Sequence, residues 1–104
     1  MNAYVTNFYP KPNGTAADQR LTVDATVGGV QFTNNFATST DTVSIDIQGA
    51  DVMVTFDGSA PTTTNGHRLY DTRSYTWSKA AAVSAKFIRQ ALTDASIHLS
   101  QFTS

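Results

Sequence analysis

Apolar and polar residues alternate with a period of two along much of this chain, the pattern of half-buried β-strands rather than of helices. In Arg20-Leu21-Thr22-Val23-Asp24-Ala25-Thr26-Val27, the residues Leu21, Val23, Ala25 and Val27 share one face. Gly28-Gly29 then predicts a hairpin-type turn into Val30-Gln31-Phe32. A polar loop over 34–41, interrupted by Phe36, leads to the most regular strand, 42–48, with Val43, Ile45 and Ile47 inward. Gly49-Ala50 turns the chain into 51–57, where Val52, Val54 and Phe56 share a face. Asp57-Gly58, Pro61-Thr62 and Asn65-Gly66 follow, and a second short alternating run ends at Tyr70. This stretch predicts a strand, a tight turn, an exposed loop and a returning strand.

The segment 78–92 is less regular. Ser78 has N-cap chemistry, and Ala80, Val83, Phe87 and Ala91 fall on one helical face, so periodicity alone predicts an amphipathic helix. Lys86-Phe87-Ile88-Arg89 has equal strand character, and we read a helical turn near 79–84 followed by a strand near 86–90. A last strand over 95–102 places Ile97 and Leu99 inward and His98 and Ser100 outward. Short strands with frequent turn signals predict a mainly β fold, a sandwich or small barrel, with one short helical turn. Residues 1–18 differ again: Pro10, Pro12, Asn13 and Gly14 surround Tyr4, Phe8 and Tyr9. They read as an extended arm with a turn at 12–14, ahead of a single domain over 19–104. Such an arm either frays or docks its aromatics on a neighbouring subunit, and three aromatics in nine residues favour docking somewhere.

Composition narrows the class. At 104 residues the chain has room for one core. All eight acidic residues are Asp, which suits turns and caps, while the lack of Glu argues against a helical bundle. Sixteen Thr suit pleated, half-exposed strand faces. Net charge is −1 and the basic residues are scattered, which argues against nucleic acid as a partner. With no cysteine, disulfides, zinc–thiolate sites and thiol nucleophiles are excluded. Met1-Asn2-Ala3-Tyr4 lacks the basic and apolar regions of a signal peptide, and no apolar run reaches membrane-spanning length. Asn13-Gly14-Thr15 matches a glycosylation acceptor but reads as a turn without a secretion signal. These features predict a product made inside the cell with no membrane partner.

Candidate chemistry is sparse. His67 and His98 are the two histidines, no serine sits in a Gly-x-Ser-x-Gly elbow, and no phosphate-binding glycine motif occurs. His67 reads as a turn histidine and His98 as an outward strand residue. Their spacing is not that of a metal pair. Asp46, Asp51 and Asp57 suggest calcium, but Asp57-Gly58-Ser59 lacks the spacing of a calcium loop, and an Asp bonded to the turn's own backbone explains Asp57. We therefore expect no catalytic residue, cofactor or metal. Tyr70, Tyr75 and Trp77 offer a sugar-stacking platform, although Tyr75 and Trp77, sharing strand parity, fit a core or protein interface better.

Val54-Thr55-Phe56-Asp57-Gly58-Ser59-Ala60-Pro61-Thr62 resembles a recurring Ig-like β-sandwich signature, in which an aromatic strand ends in Asp-Gly-Ser/Thr, x-Pro-Thr and a short strand. It is similar to the chitobiase-type C-terminal accessory domains, with Tyr70 matching the tyrosine of the returning strand. The fuller pattern resembles small structural proteins of tailed bacteriophages. It runs from Gly49-Ala50-Asp51-Val52 through the Asp-Gly-Ser-x-Pro-Thr turn and Asn65-Gly66-His67, then through Trp77 and Lys86-Phe87-Ile88 to a final strand like 95–102. The likeness covers roughly residues 42–102.

The resemblance implies an Ig-like antiparallel β-sandwich in a virion, with no enzymatic activity. The first expectation is a head decoration (cement) protein made in the host bacterial cytoplasm. It would bind the major capsid protein of the assembled shell as a homo-oligomer, a trimer over local symmetry axes. Candidate contact residues are Tyr4, Phe8, Tyr9 and Pro10 of the arm and Pro61, Thr62, Asn65 and His67 of the loop. The alternatives are a tail or head–tail connector accessory protein, and a carbohydrate-binding module using Tyr70, Tyr75 and Trp77.

Overall fold

In a computed structural model, which describes residues 11–12, 18–32 and 36–103, the chain is mainly β, with two antiparallel sheets packed face to face. The elements in order are β1 (Lys11–Pro12), β2 (Asp18–Val23), β3 (Thr42–Gln48), β4 (Val52–Thr55), β5 (His67–Leu69), β6 (Ser74–Ser78), α1 (Lys79–Ser84), β7 (Lys86–Arg89) and β8 (Ala95–Thr103). One sheet is built on β8, with β3 and then β6 on one side and β2 and β1 on the other. The second sheet has β4 at its centre between β5 and β7. Every pairing is antiparallel.

Alternation dictates which face is buried. Val43, Ile45 and Ile47 of β3 and Ala95, Ile97 and Leu99 of β8 point at the second sheet, which answers with Val52, Val54, Leu69 and Phe87. The aromatic rings bind the two layers. Trp77 of β6 stacks on Phe87 of β7, 6.1 Å between centroids at 10°. Phe32 meets Phe87 edge-on at 5.6 Å, and Phe56 meets Trp77 edge-on at 5.0 Å. Gln101 occupies an inward position of β8 yet is polar. Its Oε1 accepts from the Thr40 hydroxyl at 2.7 Å and the Ala37 N–H at 3.0 Å, so its burial leaves that oxygen satisfied.

The irregular segment folds as read: one helical turn, then a strand. Ser78 Oγ accepts from the Ala81 N–H at 3.2 Å and starts α1, which stops at Ala85 as the backbone extends. The buried residues there are Ala82 and Ala85, while Val83 is half exposed. A single amphipathic helix to Ala91 is overridden because Phe87 pairs with Val54 in the second sheet.

Two expectations need correction. The 20–27 alternation stops at Val23, because the Asp24 carboxylate takes the Thr26 N–H (2.9 Å) and hydroxyl and bends the chain away. Ala25 is exposed, and Val27 is 96% exposed instead of inward. Gly28-Gly29 is consequently no hairpin turn. Gly29, at φ +87°, lies where an added Cβ would fall 2.9 Å from Pro61 Cδ. The chain crosses there to the other sheet, and Val30 bridges to Phe87.

Candidate functional site

The β4–β5 hairpin carries the loop singled out in the sequence, and its polar side chains are spent on holding it. Asp57 Oδ1 accepts from the Ser59 hydroxyl at 2.6 Å and the Ser59 N–H at 3.0 Å. Those two donors, the hydroxyl foremost, hold the Asp57 carboxyl below the usual carboxylate range. The group stays ionised with its lone pairs directed at the turn, which suits a structural anion and not a general base. Thr55 Oγ1 donates to the Ser59 carbonyl at 2.6 Å, and Lys86 Nζ donates to the Gly58 carbonyl at 3.1 Å. Further along, Thr62 Oγ1 accepts from the N–H groups of Asn65 (2.9 Å) and Thr64 (3.2 Å), and the Thr62 N–H donates to the Asn65 carbonyl. The loop is thus two side-chain-closed turns in series.

Between them lies a shallow open depression of about 360 Å³, lined by Thr55, Phe56, Ser59, Asn65, Gly66 and His67 as well as Asp57. Phe56 forms an apolar floor beside the exposed His67 ring, 6.1 Å between centroids. Of the loop residues expected to make contacts, Thr62, Asn65 and His67 are exposed. Pro61 is not: it is fully buried, seated against Gly29. Its role is to pin the loop to the sandwich, and it drops out of the contact set. Tyr4, Phe8, Tyr9 and Pro10 lie outside the described residues.

A second cluster escaped the sequence reading. Asp51 accepts from Arg68 Nε (2.9 Å) and Nη2 (2.6 Å) and from the Asp71 N–H (2.7 Å). The Asp71 amide, then the guanidinium, hold the Asp51 carboxyl below its ordinary value. The guanidinium carbons of Arg68 and Arg73 lie 5.3 and 5.9 Å from the Tyr70 ring centroid. Arg68 and Tyr70 are two residues apart on the returning chain, a spacing that sets them on one face. Arg73 arrives only through a tight turn at Thr72, whose φ is +67°, and no sequence signal marks it. The Tyr75 hydroxyl accepts from the Tyr70 N–H at 3.0 Å, and Trp77 is packed on Phe56 and Phe87. Tyr70 and Tyr75 are thus tied to each other and Trp77 to the core aromatics, with Tyr70 exposed and Tyr75 and Trp77 partly buried.

Among the described residues, no group of three or more His, Cys, Asp or Glu is placed to hold a metal ion, and no helix is long and apolar enough to cross a membrane. No protein-family model, curated protein or solved structure matches the chain.

Proposed function

We propose that this protein is a non-enzymatic structural component of a tailed-phage virion, a decoration protein that binds the assembled head through the β4–β5 loop. The observation that carries the reading is the construction of that loop. The Asp57, Ser59 and Thr62 oxygens close its turns and Pro61 anchors it, so the exposed Thr62, Asn65 and His67 are presented on a stiff frame. A pre-ordered loop loses little conformational entropy on docking, which suits a module whose weak contacts are multiplied over many identical sites. The Asp-Gly-Ser-x-Pro-Thr sequence that carries the phage resemblance is the sequence that builds this frame. The partner in this reading is the major capsid protein, with Tyr4, Phe8, Tyr9 and Pro10 of the 1–18 arm as a second contact.

The test is co-sedimentation of the purified protein with assembled shells of the phage that encodes it. Saturable binding is expected, and it should weaken about tenfold or more in the double variant Asn65→Ala/His67→Ala, as for loss of two central contacts. Absence of binding to shells, with binding to tails or to glycans instead, overturns the reading.

A further inference from the structure

Among the described residues the sandwich has four strand edges, and three are blocked. The outer edge of β7 is already used: Val30 and Phe87 exchange both backbone hydrogen bonds at 2.8 Å, and the Arg89 N–H donates to the Asp24 carbonyl. β5 is three residues long and carries His67 and Arg68, and β2 carries the exposed Arg20. Short length and charge are the usual guards against edge-to-edge pairing. β6, Ser-Tyr-Thr-Trp-Ser, has neither charge nor proline. Among the described residues no strand lies beyond it.

The ladder to β3 fixes which backbone groups face that open edge. Lys79 N–H bonds the Asp41 carbonyl and Ile47 N–H bonds the Arg73 carbonyl, so the odd-numbered residues of β6 bond inward. Ser74, Thr76 and Ser78 therefore aim their N–H and C=O groups outward. These three are spaced symmetrically about Thr76.

We propose that β6 is a self-pairing edge: two copies of the chain join antiparallel along Ser74–Ser78 about a two-fold axis at Thr76, making one continuous sheet across a dimer. In this register Thr76 exchanges both hydrogen bonds with Thr76 of the second copy. The Ser78 N–H of each copy reaches the Ser74 carbonyl of the other, while the Ser78 carbonyl stays with α1 as its N-cap. Tyr75 then stands directly opposite Trp77 of the second copy, at the non-hydrogen-bonded positions where side chains approach most closely. Both rings are only partly buried in the single chain, so pairing covers apolar surface that is otherwise wet. The nearest like charges are drawn aside, Arg73 over Tyr70 and Lys79 Nζ onto the Ala37 carbonyl at 3.0 Å. An isologous contact of this kind closes at two copies, in place of the trimer expected from the resemblance. It holds whether or not the protein acts in a virion.

Sedimentation velocity of the full chain across a concentration range, with emission from Trp77, its one tryptophan, decides the matter. The expected species is twice 11.2 kDa, with emission shifting to shorter wavelength as it forms. Thr76→Pro removes an outward N–H without touching the β3 ladder, and Thr76→Lys places a charge on the edge. Each should weaken the dimer about tenfold or more, Thr76→Pro through the two hydrogen bonds lost per interface and Thr76→Lys through the like charges it sets opposite each other at the axis. Circular dichroism should be unchanged in the variants, and Thr76→Lys decides alone should the proline variant not fold. A chain that stays monomeric at all concentrations, an oligomer of another size, or a dimer indifferent to the folded variants overturns the proposal.

Discussion

At the scale of single residues, the glycines and aspartates of the loops determine where the chain turns. Gly66 is the tightest case: its φ is +134°, and a Cβ there would lie 2.8 Å from the Val54 carbonyl oxygen. That contact is with backbone of the central strand of its sheet and cannot swing away. Gly66→Ala should therefore destabilise the fold by about 2 kcal/mol or more, read as a lowered midpoint in urea unfolding. Gly58, also at positive φ, has open space where its Cβ would go, so Gly58→Ala carries the conformational cost without the clash and should be the milder change. The aspartates act in the opposite manner, supplying acceptors to N–H groups that strand pairing leaves over. Asp24, Asp51 and Asp57 each close a turn or brace a loop in this way.

At the scale of elements, strand identity was legible wherever alternation was strict and one face alone met the core. The 42–48 and 95–102 strands follow this rule, whereas β4, buried on both faces, was legible from the turn residues that follow it and the turn of helix before β7 from its Ser78 cap. What was not legible was the partner of each strand. The segment 24–30 looks like the first half of a hairpin, yet it crosses between sheets, because the Asp24 turn and the close approach of Gly29 to Pro61 are tertiary facts. Gln101 was hidden for a related reason. Its inward parity was readable, but the Ala37 N–H and Thr40 hydroxyl that make a buried amide tolerable come from a loop about sixty residues away in sequence. Gln101→Leu leaves both donors without this acceptor and should cost about 2–3 kcal/mol despite the apolar replacement. Thermal unfolding of that variant beside Ser100→Ala, on the same strand, separates the lost acceptor from a general effect on β8.

At the scale of the whole molecule, charge is low and evenly spread, and the carboxylates bonded in the folded state control its acid behaviour. Asp24, Asp51 and Asp57 all have carboxyls held below the ordinary value by donated hydrogen bonds. Each binds a proton less readily folded than unfolded. Their contribution is therefore complete above the unfolded value near pH 3.9 and is lost as pH falls through the lower folded values. Stability should be flat with respect to these groups from neutral pH to about 5 and decline below about 4. Asp51→Asn should lessen that decline, which chemical denaturation at a series of pH values measures.

The same whole-molecule view frames function. A sandwich with a braced loop and, among the described residues, one unguarded edge is suited to being held by neighbours, and the proposed function places those neighbours in a virion. The most direct measurement of the proposed function is the number of copies of this chain in purified virions of the phage that, on that proposal, encodes it, by quantitative mass spectrometry against the major capsid protein. The decoration reading predicts a copy number on the scale of the capsid protein itself, falling when residues 1–10 are deleted or the Asn65/His67 face is altered. A count matching a single tail or connector ring, or absence from the virion, contradicts it.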